Sequence, residues 1–137
     1  MPAQLSQSSL DRLNTCEARL IRVVRRAEDL CPYDFTVLEG HRTRERQKQL
    51  FDEGKTQIDG INRLGKHNYQ PARAVDLAPY PISWKAEDHW RFDVLAGCML
   101  AAAAELGVSL RWGGDWDGDG TRKDHSFIDL PHFELKG

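Results

Sequence analysis

Five histidines stand at positions 41, 67, 89, 125 and 132, and position sets two of them apart as candidate ligands. Taken singly, a histidine is more often a surface or hydrogen-bonded residue than a ligand. His67 falls in a long polar stretch, and Asp76 follows it inside the apolar run AVDL. An acid in the middle of a core-like strand is costly unless it is paired or bound to a cation. His132 opens a second apolar run, HFEL, three residues after Asp129, with Pro131 stiffening the gap. Two histidines, one carboxylate and an open position make a catalytic zinc site, and a nearby acid that is not a ligand can serve as its base. The chain has no H-E-x-x-H pattern, which excludes a thermolysin-like helical site.

The elements that must position these residues can be read from apolar spacing and turn residues. Ser9 is suited to cap a first helix, in which Leu10, Leu13, Leu20, Val23, Val24, Ala27 and Leu30 recur at helical spacing until Pro32 stops it. Phe35 to Leu38 reads as a strand ending at Gly40. Arg42 to Glu53 reads as a charged helix closed by Gly54. The polar segment from Lys55 to Ala72 is a long loop for a compact domain, and such loops are usually functional or disordered. Ala74 to Leu77 is the next strand, ended by Pro79 and Pro81. A helix from Ser83 to Leu106 then carries Val94, Leu95, Cys98, Met99, Ala102 and Leu106 as its buried stripe. Leu110–Trp112 and His132–Leu135 complete the strands. Helices mixed with short, non-alternating strands predict an α+β fold.

Four blocks, in this order along the chain, resemble one family: GHRTRERQKQLFDEGKTQ from Gly40 to Gln57, Lys66-His67 through AVDLAP ending at Pro79, RWGGDW from Arg111 to Trp116, and DLPHFEL from Asp129 to Leu135. The family is that of the phage endolysin L-alanyl-D-glutamate peptidases, within the larger group of zinc D-Ala-D-Ala carboxypeptidases and dipeptidases. The resemblance implies a small antiparallel sheet with helices packed on it, like that of Hedgehog and the D-Ala-D-Ala peptidases. It implies that His67, Asp76 and His132 hold zinc, and that Asp129 is the catalytic acid/base. Arg42, in the Gly-x-Arg-Thr block, is suited either to stabilise the oxyanion or to grip a substrate carboxylate, and otherwise is a solvated arginine. Gln47 belongs to the same block and reads as structural. Eight residues, Asn68 to Val75, separate the first His from the Asp where many members have six. His125 is the other histidine close to His132 in sequence. The implied activity is hydrolysis of the L-alanyl-D-glutamate bond in peptidoglycan stem peptides. The alternatives are a D-Ala-D-Ala carboxypeptidase or dipeptidase, or a zinc-containing binding module without catalysis.

Other signals bound the function. Asp115, Asp117, Asp119 and Gly120 open like an EF-hand calcium loop, but the twelfth position is Ser126 where a bidentate Glu belongs. Calcium is therefore expected, if at all, as a regulator. Trp112 and Trp116 read as core aromatics or as a groove lining. Gly54-Lys55-Thr56 lacks the first glycine of a P-loop, since residue 49 is Gln. With 19 basic and 21 acidic residues in 137, the formal charge is −2, so no basic field awaits nucleic acid. The longest apolar run, Val94 to Ala104, spans 11 residues and is too short to cross a bilayer. Cys16, Cys31 and Cys98 are odd in number and unpaired in spacing, as for small buried hydrophobes. The expectation is one monomeric catalytic domain over residues 1–137, without a signal peptide. It would be held in the host bacterial cytoplasm until lysis and then act on the wall from the periplasm.

Overall fold

The computed structural model describes residues 3–116, 118 and 128–136. Its elements are helices α1 (Gln7–Leu13), α2 (Ala18–Leu30), α3 (Arg44–Asp52) and α4 (His89–Leu106), and strands β1 (Phe35–Glu39), β2 (Ala74–Pro79), β3 (Leu110–Trp112) and β4 (His132–Leu135). The strands form one antiparallel sheet in the order β1-β2-β4-β3. This is the α+β architecture expected from the sequence.

The first helix departs from expectation. It is two helices, α1 and α2, broken at residues 14–17. The break is tertiary in origin: Glu17 N–H donates to the Ala72 carbonyl (2.8 Å), and Ala72 N–H donates to the Thr15 carbonyl (2.9 Å). Those backbone groups are spent on another segment, and the helical ladder cannot pass through them. The cap also differs. Ser6 caps α1, and Ser9 is buried with its hydroxyl accepting from Val37 N–H of β1 (3.0 Å).

Helix α3 begins at Arg44 rather than Arg42, because the Thr43 hydroxyl accepts from Arg46 N–H at 3.1 Å and sets the cap there. Helix α4 begins after a 3-10 turn at Ala86–Asp88, later than the Ser83 start expected, and ends on Gly107 at φ 70°. Its buried face holds Leu95, Met99 and Ala102 as expected but is completed by Phe92, Ala96 and Ala103. Leu106 is exposed. A nearly continuous apolar run leaves the facing side ambiguous, and packing decides it.

The core lies on one face of the sheet, where α2 and α4 pack against each other and α4 covers β2 and β3. Phe35, Val37, Val75, Leu77, Phe133 and Leu135 point into it. By strand alternation, Asp76, His132 and Glu134 belong to the opposite face. The three cysteines are free; Cys16 and Cys31 are buried and Cys98 half-buried, as small hydrophobes would be. Among the described residues, no helix is long and apolar enough to cross a membrane.

Candidate metal centre

The sheet register builds the site. Asp76 of β2 lies directly opposite His132 of β4. On the other side of β2 the pairing of β1 shifts between Val37 and Glu39, and Glu39 comes opposite Asp76. Two residues of β1 thus face one of β2, which turns Glu39 from the core face to the site face. Glu39, Asp76 and His132 form a polar row across three strands.

His67 comes from the long loop. A 3-10 turn at Lys66–Asn68 carries it, and hydrogen bonds pin that turn. Arg42 N–H donates to the His67 carbonyl (2.8 Å), and the Asn68 side-chain amide donates to the Arg42 carbonyl (3.0 Å). The loop before it is ordered by Asp59, whose carboxylate accepts from the backbone N–H groups of Ile61 (2.9 Å), Asn62 (2.9 Å) and Arg63 (3.1 Å). The eight-residue spacing to Asp76 is accommodated: His67 Nε2 stands 3.0 Å from Asp76 Oδ1.

His67, Asp76 and His132 each offer one ligand atom, and these atoms lie within 4.8 Å of one another; among the described residues no other His/Cys/Asp/Glu group does this. The outer nitrogen of each ring is engaged. His67 Nδ1 lies 2.7 Å from the Gly40 carbonyl, an obligate acceptor, so Nδ1 carries the proton and Nε2 keeps its lone pair. His132 Nε2 lies 2.8 Å from Glu134 Oε1, which makes Nδ1, 3.2 Å from Asp76 Oδ1, the lone-pair nitrogen of the neutral ring. Two lone pairs and a carboxylate oxygen therefore converge on one point. That arrangement repels itself unless a cation or protons sit among them, and a donor set of two imidazoles and a carboxylate can hold a metal ion.

Burial alone would raise the Asp76 carboxyl, but the neighbouring His67 and His132 outweigh it and hold it well below the usual carboxylate range. For His132 burial works against the charged ring, yet hydrogen bonds to Asp76 and Glu134 win and push it up to about 9. Asp129 is shifted the other way. Burial, and after it the negative charge of Asp76, raise its carboxyl above the ordinary value.

Asp129 stands at the cleft wall beside the three ligand candidates. Its N–H donates to the Gly113 carbonyl (2.9 Å), Gly113 N–H donates to the His132 carbonyl (2.8 Å), and His132 N–H donates to the Asp129 carbonyl (3.1 Å). Gly113 is required here, since a Cβ on it would meet the Asp129 carbonyl oxygen at 2.1 Å. Trp112 is buried, its indole N–H donating to the Leu130 carbonyl at 2.7 Å, and so is a core aromatic. Trp116 lines the cleft, 5.5 Å from the His132 ring.

Arg42 is not a solvated arginine. Its side chain is 12% exposed, with Nη2 bonded to Glu39 and 3.7 Å from Asp76 Oδ2. Nη1 donates to Gln47 Oε1 (3.0 Å), and the Gln47 amide donates in turn to the Ile58 carbonyl (2.8 Å). Gln47 thus ties Arg42 to the long loop. The cleft holding all of this has a volume of about 790 Å³.

The sequence reading missed two residues of the site. Glu134 was detectable, because it lies two residues after His132 and strand alternation puts both on one face. Glu39 was not, because only the irregular pairing of β1 brings it there. Of the candidate calcium loop, Asp115 is described, while Asp117 and Asp119 lie outside the described residues, as does His125. His41 and His89 are not part of the His67–Asp76–His132 group.

Comparisons with known proteins bear on the family. Residues 1–136 match the family described as phage L-alanyl-D-glutamate peptidase. The L-alanyl-D-glutamate peptidase of Escherichia phage T5 is 32% identical over 141 residues, covering 98% of this chain and 99% of the phage protein. The crystal structure of the Serratia marcescens L-Ala D-Glu endopeptidase ChiX is similar at a TM-score of 0.76 and 28% identity, covering 97% of this chain and 90% of that one. With its sequence matched nearly end to end, the chain belongs to the phage L-alanyl-D-glutamate peptidase family.

Proposed function

We propose that this protein is a zinc peptidase that hydrolyses the L-alanyl-D-glutamate bond of peptidoglycan stem peptides and so contributes to lysis of the bacterial wall. The observation that carries the reading is the convergence of two imidazole lone pairs and the Asp76 carboxylate, with Asp129 beside them and outside the ligand set. His67, Asp76 and His132 would hold the zinc, which when bound supplies a Lewis acid and activates water at neutral pH.

The protein's own groups supply the rest. Asp129 accepts the proton of the attacking water and passes it to the leaving amine, a task suited to a carboxyl that burial and the charge of Asp76 raise above its ordinary value. Arg42 is held rigidly by Glu39 and Gln47 on the edge of the centre, and it offers a fixed cation to the oxyanion that develops at the scissile carbonyl. On this reading the whole chain acts as one catalytic domain, and the cleft itself binds the stem peptide.

The test is mass spectrometry of purified Gram-negative peptidoglycan after incubation with the zinc-loaded protein. Stem peptides beginning at D-glutamate, absent when a chelator is added, support the reading. Loss of terminal D-alanine instead moves the enzyme to the carboxypeptidase branch. Absence of any cleavage with zinc bound leaves a binding module. Asp129→Ala sharpens the test, since it should keep zinc and lose hydrolysis by about 10²-fold or more.

A further inference from the structure

Glu134 lies in the wall of the cleft and has no part in the chemistry above. Alternation along β4 places it on the same face as His132, and its carboxylate Oε1 lies 2.8 Å from His132 Nε2. Its side chain is 13% exposed, so this hydrogen bond faces little competition from water. On the next strand Arg111 is its register partner, with Nη1 3.9 Å from Glu134 Oε2. Asp76, His132, Glu134 and Arg111 thus form a chain of polar contacts from β2 across β4 to β3.

We propose that Glu134 is a positioning residue for the metal centre. By accepting the Nε2 proton of His132 it selects the tautomer and ring rotation that aim the Nδ1 lone pair at the metal, while Arg111 braces the carboxylate. The inference rests on the reading of His67, Asp76 and His132 as the ligands.

An imidazole has two ways to be neutral, and only one serves here. With the proton on Nδ1, His132 would point a donor at Asp76 and have no lone pair for a cation. His67 has the same problem and solves it with the backbone, through the Gly40 carbonyl at 2.7 Å, which no side-chain substitution removes. His132 depends on a side chain for this. A carboxylate in that role also makes the ring more basic and a stronger ligand.

The experiment measures zinc affinity by competition with a chromophoric chelator for the parent protein, Glu134→Ala, Glu134→Gln, Glu134→Met and His132→Ala, with circular dichroism to confirm folding. Glu134→Ala should bind zinc about 10–100-fold more weakly while keeping its fold. Glu134→Gln retains an acceptor oxygen for Nε2–H and should recover most of that loss, whereas Glu134→Met, of similar size without that acceptor, should bind as weakly as Glu134→Ala; a merely space-filling role would let Met recover it too. Undiminished zinc affinity in Glu134→Ala, with binding lost in His132→Ala, overturns the inference and leaves the centre standing. Undiminished affinity in His132→Ala as well removes the centre itself. Should the alanine variant not fold, nitrogen-15 shifts of His132 in the zinc-loaded parent protein decide. A protonated Nε2 with a metal-bound Nδ1 supports the inference, and the reverse assignment overturns it.

Discussion

Replacing Gln47 by Leu tests whether the site is held from behind. Gln47 is 2% exposed and joins three segments: Nη1 of Arg42 donates to its Oε1 at 3.0 Å, and its Nε2 donates to the Ile58 carbonyl at 2.8 Å and to Thr56 Oγ1 at 3.2 Å. Leucine has nearly the same size, so no cavity is made and the cost is polar. A buried hydrogen bond from a charged group is worth roughly 1.5–3 kcal/mol and a neutral one about 1 kcal/mol. Arg42 keeps its bonds to Glu39, so the lower figure applies to it. Thr56 can turn its hydroxyl elsewhere. The sum is about 2–3 kcal/mol, which in a chain of this size lowers Tm by roughly 8–12 °C. Arg42 also loses one of its two lateral supports, and kcat should fall by about tenfold or more with KM affected less, since a misplaced cation is felt mainly in the transition state. Differential scanning calorimetry and stem-peptide hydrolysis read the two effects. A variant that melts within about 2 °C of the parent would falsify the idea that this amide braces the site.

Gly113→Ala should be disabling, because its Cβ would meet the Asp129 carbonyl at 2.1 Å; we expect hydrolysis to collapse while zinc is still bound, as read by elemental analysis beside activity. On the proposed reading the protein should bind one zinc per chain and His132→Ala should lose it, and an unchanged zinc content in that variant removes His132 from the ligand set. Chelation should abolish hydrolysis and added zinc restore it. The thiol of Cys16 is pushed up to about 12, by burial first and by Asp76 also. Its thiolate fraction at pH 8 is then on the order of 10⁻⁴, so iodoacetamide at that pH should spare it in the folded protein and label it after denaturation. Rapid native labelling of Cys16 refutes its burial.

Much of this molecule is local, and so was open to the sequence. His132 and Asp129 are three residues apart with a proline between them, and Asp76 stands out as the acid in an apolar strand; types and spacing draw attention to them, and the family resemblance assigns their roles. The strands, the α+β class and the buried cysteines follow from periodicity and burial habits in the same way. Tertiary structure decided what local signals leave open. Helical spacing runs unbroken from Leu10 to Leu30, yet the chain breaks there because Thr15 and Glu17 pair with Ala72, more than 50 residues away. The long loop has no apolar pattern to locate it, and its polar bonds to Arg42 and Gln47 are what bring His67 to Asp76. Glu39 reaches the site only through irregular pairing of β1, and Arg42 is held by partners from two separate segments. The physical reason is common to all of these: residue type and spacing determine which groups can do chemistry, whereas the protonated nitrogen of each histidine and the aim of each lone pair depend on acceptors that only the folded chain brings within reach.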